Sequence, residues 1–253
     1  MKQILFFELG GKFAHFKFPF TSPNFLKKSF SIPPKTTVLG ILGSIIGLNG
    51  FQNYELNEPE YYSKLKHIPI TIHLDKIPMK SVIQYNSLNS FAKDIADNPN
   101  VIIKEEILLE PNYKIGLILD DSNENDRLLI ELFNKKKISS KYHIYLGKNE
   151  FFANISNIKL FRENEFEIVN VSEVEHLNSI IPISFLNLNI LYEHLIYESF
   201  SKDINFSDKK LKTVLCEIGF FIEEEKENVI TFNTELKLYK IGNNHYYFFE
   251  NES

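Results

Sequence analysis

The sequence predicts an α+β protein: a ferredoxin-like β-α-β-β-α-β domain carrying an extended β-hairpin, followed by a β-rich C-terminal extension. Three observations carry this. Over residues 1–164, apolar runs of strand length and two helix-period segments follow the order strand, helix, strand, hairpin, strand, helix, strand. The hairpin, at about residues 77–110, sits between the two halves of that pattern and has a polar tip. Residues 165–253 read as β-rich and are acidic. With 253 residues, 43% hydrophobic and 24% charged, the chain can bury a core without disulfide or metal.

Residues Gln3 to Leu9 are apolar on both faces, which predicts a central strand. Gly10-Gly11 breaks it, and residues 12–31 read as a loop of alternating Lys and aromatics closed by Pro19 and Pro23. Pro33-Pro34 opens a helix over Thr36 to Leu48, with Val38, Leu39, Leu42, Ile45 and Ile46 as its apolar stripe. Gly40, Gly43 and Gly47 lie three and four apart on that helix and predict a close backbone approach. Ile68 to Leu74 is the second strand. Met79 to Asn86 and Ile102 to Leu109 are the arms of the hairpin, with a polar tip at Asp94 to Asn100 and few core contacts expected. Tyr113 to Leu119 is the next strand, and Asn125 to Lys136 the second helix. Tyr142 to Leu146 reads as a short strand closed by Gly147, with extended chain over Phe151 to Leu160. The chain ends in a hairpin, Val229 to Lys240 and His245 to Phe249, around Ile241-Gly242-Asn243-Asn244.

Net charge is −5, but the distribution is uneven. Residues 1–50 hold six lysines against Glu8, and the acidic excess lies at the C-terminal end. Two readings are open: an anionic partner at the N-terminal end, or lysine that is simply plentiful, since Arg127 and Arg162 are the only arginines. No apolar run reaches a membrane span, and the N-terminus lacks the features of a signal peptide. A cytoplasmic protein without a membrane partner is expected.

The single Cys216 lies in an apolar run and reads as a core residue. The seven histidines show no metal-ligand spacing, so neither a metal nor another cofactor is expected. There is no G-x-S-x-G and no phosphate-binding glycine loop. Three clusters remain. In Gly10-Gly11-Lys12-Phe13-Ala14-His15-Phe16-Lys17, cations suited to phosphate alternate with rings suited to bases, or the rings simply seal the sheet. In Pro33-Pro34-Lys35-Thr36-Thr37, two hydroxyls and an ammonium meet a helix N-terminus, as an anion site or as ordinary capping. The third, Tyr145-Leu146-Gly147-Lys148-Asn149, is a turn that permits close approach.

In order and spacing these clusters resemble the Cas-five family, the CRISPR-associated RAMP subunit of type I Cascade complexes, with a cast closest to type I-B. The matching stretches are G-K-F-A-H-F-K, S-I-P-P-K-T-T-V-L-G-I-L-G-S-I-I-G-L and Y-L-G-K-N, within residues 1–160. The resemblance implies an RRM-like (RAMP) fold whose hairpin is a thumb. It implies a non-catalytic subunit that grips the 5′ handle of CRISPR RNA, caps the backbone subunits and abuts the large subunit, meeting target DNA only indirectly. On that reading Lys12, His15, Phe16, Lys17, Lys35, Thr36, Thr37 and Lys148 hold the handle, and Gln84, Tyr85 and Asn86 face the RNA from the thumb. Two alternatives stand beside it. One is a metal-independent endoribonuclease, as in the type I-C branch, pairing His15 with Lys12 or Lys17, or His143 with Lys141. The other is a generic RRM-like protein-interaction module.

Overall fold

The computed structural model describes residues 1–19, 26–50, 58–88, 100–135, 138–190, 192, 195–207, 210–221 and 229–250. Its first part is an antiparallel sheet of β1 (Lys2–Gly10), β2 (Ile70–His73), β5 (Asn112–Asp120) and β6 (Asn154–Phe161), with α1 (Lys35–Ile46), α2 (Glu60–Leu65) and α3 (Glu124–Asn134). The strand order β6-β1-β5-β2 is that of a ferredoxin-like split β-α-β unit, as the element order predicts. The central position expected of β1 follows from its double burial. Leu5, Phe7 and Leu9 join the core under the helices, while Ile4 and Phe6 enter a second cluster on the opposite face.

The predicted hairpin is β3 (Met79–Leu88) and β4 (Asn100–Leu109), paired from Met79 with Leu109 to Leu88 with Asn100. Its expected tip lies outside the described residues apart from Asn100. The root departs from the expectation of few core contacts. Ile107 and Leu108 are buried in the main core, because Phe13–Ala14 pairs antiparallel with β4 and seals it.

Two expectations need correction. Tyr142–Leu146 is not a strand; it contributes one bridge, Tyr145 to Phe152, within a tight turn, and the fourth strand of the sheet begins at Asn154. The close approach expected at the α1 glycines is made by a side chain. A Cβ at Gly43 would sit 2.5 Å from the Tyr61 Cβ, so the Gly40/Gly43 notch seats Tyr61 of α2, an element without a predictable period. Gly47 ends α1 in the left-handed conformation and takes no part in that notch.

The C-terminal part contains a second long hairpin, β8 (Leu195–Ser207) with β9 (Lys210–Phe221), and the expected terminal one, β10 (Ile230–Ile241) turning into Asn244–Tyr246. β7 (Glu167–Val174) pairs with β10. One core runs through both parts: Ile180, Phe200, Ile218, Phe220 and Phe249 pack in the same cluster as Leu5 and Leu39. Ile70 and Phe249 exchange two backbone hydrogen bonds, 2.9 and 3.3 Å, so the chain end extends the edge at β2. No helix among the described residues is long and apolar enough to cross a membrane.

Candidate nucleic-acid interface

The surface built by the three sequence clusters lies at the thumb root and along α1, not on the sheet. The sheet face opposite the helices is closed by the C-terminal part: the Phe6 ring lies 4.8 Å from that of Tyr246 and 6.5 Å from that of Phe248, with Tyr239 in the same cluster. Bases have no access to stack there. What recognises an extended ligand must be loops and the thumb.

At the thumb root the loop leaving β1 is stitched to the hairpin. Glu110 N–H donates to Lys12 O at 2.9 Å, and Gly11 N–H to Pro111 O at 3.2 Å. His15 Nδ1 lies 2.7 Å from Glu106 O, and its Nε2 3.5 Å from Glu105 Oε1. Glu105, buried on β4, accepts from Lys148 Nζ at 2.6 Å and from the Tyr85 hydroxyl at 3.3 Å. Lys148 also meets Glu150 at 3.1 Å and lies over the Tyr85 ring. Burial works against the Lys148 charge, but the hydrogen bonds to Glu105 and Glu150 outweigh it and hold its pKa above the ordinary lysine value. Glu106 accepts from Ser29 N–H at 2.9 Å and lies 3.7 Å from Lys80 Nζ.

Several sequence-predicted site residues are therefore internal. His15 is 4% exposed with both ring nitrogens engaged, and Phe16, 2% exposed, packs on Tyr113. Neither can offer its side chain to a strand passing over the surface. Period-two alternation also divides the thumb triplet. Gln84 and Asn86 are exposed on one face, while Tyr85 points across the other toward Glu105 and Lys148. Lys12 and Lys17 are exposed as expected. With Lys28 and Lys104, also exposed, they form no ion pair among the described residues, whereas Glu105 and Glu106 are already matched by Lys148 and Lys80. The root thus presents a cationic rim. Lys104 stands on the same face of the thumb as Gln84, opposite it in register.

Lys35 is the largest correction. It is 2% exposed, donating to Phe249 O at 3.5 Å, because the C-terminal strands close over the start of α1. Burial outweighs the nearby Asp203 and Glu250 charges and brings its pKa down from 10.5 to about 8. Above that pH the native state releases a proton that the unfolded chain retains. Stability is therefore expected to rise between about pH 8 and pH 10.5, by about 3 kcal/mol at most. Urea midpoints at both ends of that window check this, and Lys35→Met should remove the rise.

Thr36 and Thr37 do reach a surface. They line a cavity of about 340 Å³ with Gly40, Ser44, Tyr61 and Tyr145. The second and third clusters thus meet, as the sequence alone could not show. Thr36, Thr37, Tyr61 and Tyr145 make no side-chain hydrogen bond among the described residues. Burial, then the neighbouring Tyr145, pushes the Tyr61 phenol up to about 12, so it is a neutral donor at physiological pH. Gly147 forms one lip at φ 85, and a Cβ there would lie 2.0 Å from His15 O. A hydroxyl-lined slot beside a cationic rim can take sugar and base edges along with phosphate. Cys216 is half-buried, with its thiol pushed by burial to about 11, so at neutral pH it is a protonated packing group.

Fold and site together define a ferredoxin-like domain with a closed sheet, a protruding hairpin and a cationic root. The same fold is found in a chain of a structure described as a CRISPR RNA-guided surveillance complex, with TM-score 0.52 and 11% identity, covering 92% of this chain and 91% of that one. A CRISPR protein from Archaeoglobus fulgidus aligns with TM-score 0.51 and 17% identity, covering 99% and 100%. No family model and no curated protein matches the sequence.

Proposed function

We propose that this chain is a non-catalytic RNA-binding subunit of a type I CRISPR surveillance complex, of type I-B by its sequence cast. It grips the 5′ handle of CRISPR RNA, caps the backbone subunits and meets the large subunit, with target DNA reached through that assembly. The observation that carries the reading is the near full-length fold likeness to a chain of a CRISPR RNA-guided surveillance complex. Lys12, Lys17, Lys28 and Lys104 around the thumb, free of ion pairs among the described residues, supply the phosphate contacts that such a role needs.

Of the two candidate pairs, the one built on His15 is disfavoured by its burial, while His143 and Lys141 are exposed and are tested by the incubation below. General base cleavage needs an imidazole within hydrogen-bond reach of the attacking 2′-hydroxyl. His15 instead spends both nitrogens on Glu105 and Glu106, beneath the surface. Incubation with repeat RNA in EDTA, followed on native and denaturing gels, tests both parts of the proposal. Bound, intact RNA is expected. Site-specific cutting would replace the assignment with the endoribonuclease, and absence of binding would leave the protein-interaction module.

A further inference from the structure

Beside the hydroxyl-lined groove the turn 143–152 presents aromatic rings that none of the contacts above employs. Tyr145 and Phe152 face each other across an antiparallel bridge, which places their side chains on one side. His143 shares that side, two residues from Tyr145. Its ring meets Phe152 edge-on, with centroids 4.7 Å apart at 80°. Phe152 is 63% exposed, Tyr145 is 38% exposed, and His143 is exposed. Scattered exposed rings are ordinary, but three on one face of one turn are not scattered.

Two further facts set the chemistry of the ligand. Tyr145 belongs to both the strip and the groove wall, so the two surfaces are continuous. Lysines sit on the segments adjoining the strip. Lys12 follows Gly11, whose Cβ position lies 2.6 Å from Phe152 O, and the backbone of Lys141 donates to Ile45 O at the end of α1. Both lysines are exposed and form no ion pair among the described residues, while the nearby Glu150 is paired with Lys148. Flat apolar faces with exposed lysines on the adjoining segments, free of ion pairs among the described residues, suit a polyanion with exposed π-faces better than an apolar protein surface.

We propose that His143, Tyr145 and Phe152 form a stacking strip for unpaired nucleobases, placed to lead an RNA strand into the groove beside α1. This rests on the RNA-binding reading and names residues that the sequence clusters do not single out as base contacts. Stacking contributes affinity without neutralising phosphate, so its removal has a distinct signature. A fluorescently labelled single-stranded RNA carrying the repeat-derived 5′ handle is titrated at several salt concentrations, and again after annealing to its complement. Phe152→Leu and Tyr145→Leu keep apolar bulk but remove the ring, and thermal melts establish that both fold. Each is expected to weaken single-strand binding about ten-fold, with the slope of log K against log salt unchanged and duplex binding unaffected. Wild-type affinity in both variants would overturn the strip. So would unchanged RNA affinity with lost self-association in sedimentation, which would make the strip a protein contact. Failure of the wild type itself to bind the single strand would overturn the RNA reading and the strip with it.

Discussion

Replacing Lys148 by Met is expected to destabilise the protein by about 3–5 kcal/mol, the range for removing one partner of a buried ion pair. The reason lies in the position of Glu105. Its side chain is 3% exposed, and its strongest contact is the 2.6 Å hydrogen bond from Lys148. Without that ammonium the carboxylate keeps only the longer contacts to His15 and Tyr85. The effect should be confined to the partnership. Lys148→Met combined with Glu105→Leu should recover most of the loss, since no charge is then left buried. Urea denaturation of the two single variants and the double variant measures this. A Lys148→Met midpoint equal to wild type would mean that β4 is held at the thumb root by packing alone.

Changing Lys12, Lys17 and Lys28 together to Gln is expected to weaken RNA binding about ten- to a hundred-fold near 0.1 M salt. It should also lower the slope of log K against log salt by about 2, since each phosphate contact to a single strand contributes about 0.7. All three side chains are exposed and free of ion pairs among the described residues, so the fold should be unaffected. The effect would arise despite a net charge of −5, because Glu105 and Glu106 at the thumb root are internally matched. An unchanged slope would move the RNA path elsewhere.

The architecture was legible where the sequence carries period and punctuation. Strand β1, helix α1, the thumb arms and the terminal hairpin can be read from apolar spacing and from Pro and Gly positions. The turn at 142–152 was not, because Tyr142 to Leu146 alternates like a strand while its backbone bonds across the turn and to distant segments instead of along a sheet, Leu146 N–H donating to Phe151 O at 2.8 Å and Tyr142 N–H to Ser44 O at 2.9 Å. The site was half legible. Residue type singled out Lys12 and Lys17, which the fold leaves exposed, and Thr36 and Thr37, which line the cavity, but burial is a property of distant partners. His15 is claimed by Glu105 and Glu106 some ninety residues on, and Lys35 by a strand end over two hundred residues away. No local pattern encodes such contacts. Strand alternation, by contrast, could have separated Tyr85 from Gln84 and Asn86 without a structure.

The central claim, recognition of the 5′ handle by an intact RNA-binding subunit, is tested most directly by competition in EDTA. Labelled CRISPR RNA bearing its repeat-derived 5′ handle is bound to the purified protein. It is then challenged with unlabelled RNA of equal length in which the handle is either retained or scrambled. The handle-bearing competitor is expected to displace the label far more effectively, and the recovered RNA to be full length. Equal displacement by the two competitors, or recovery of RNA cut within the repeat, would contradict the claim.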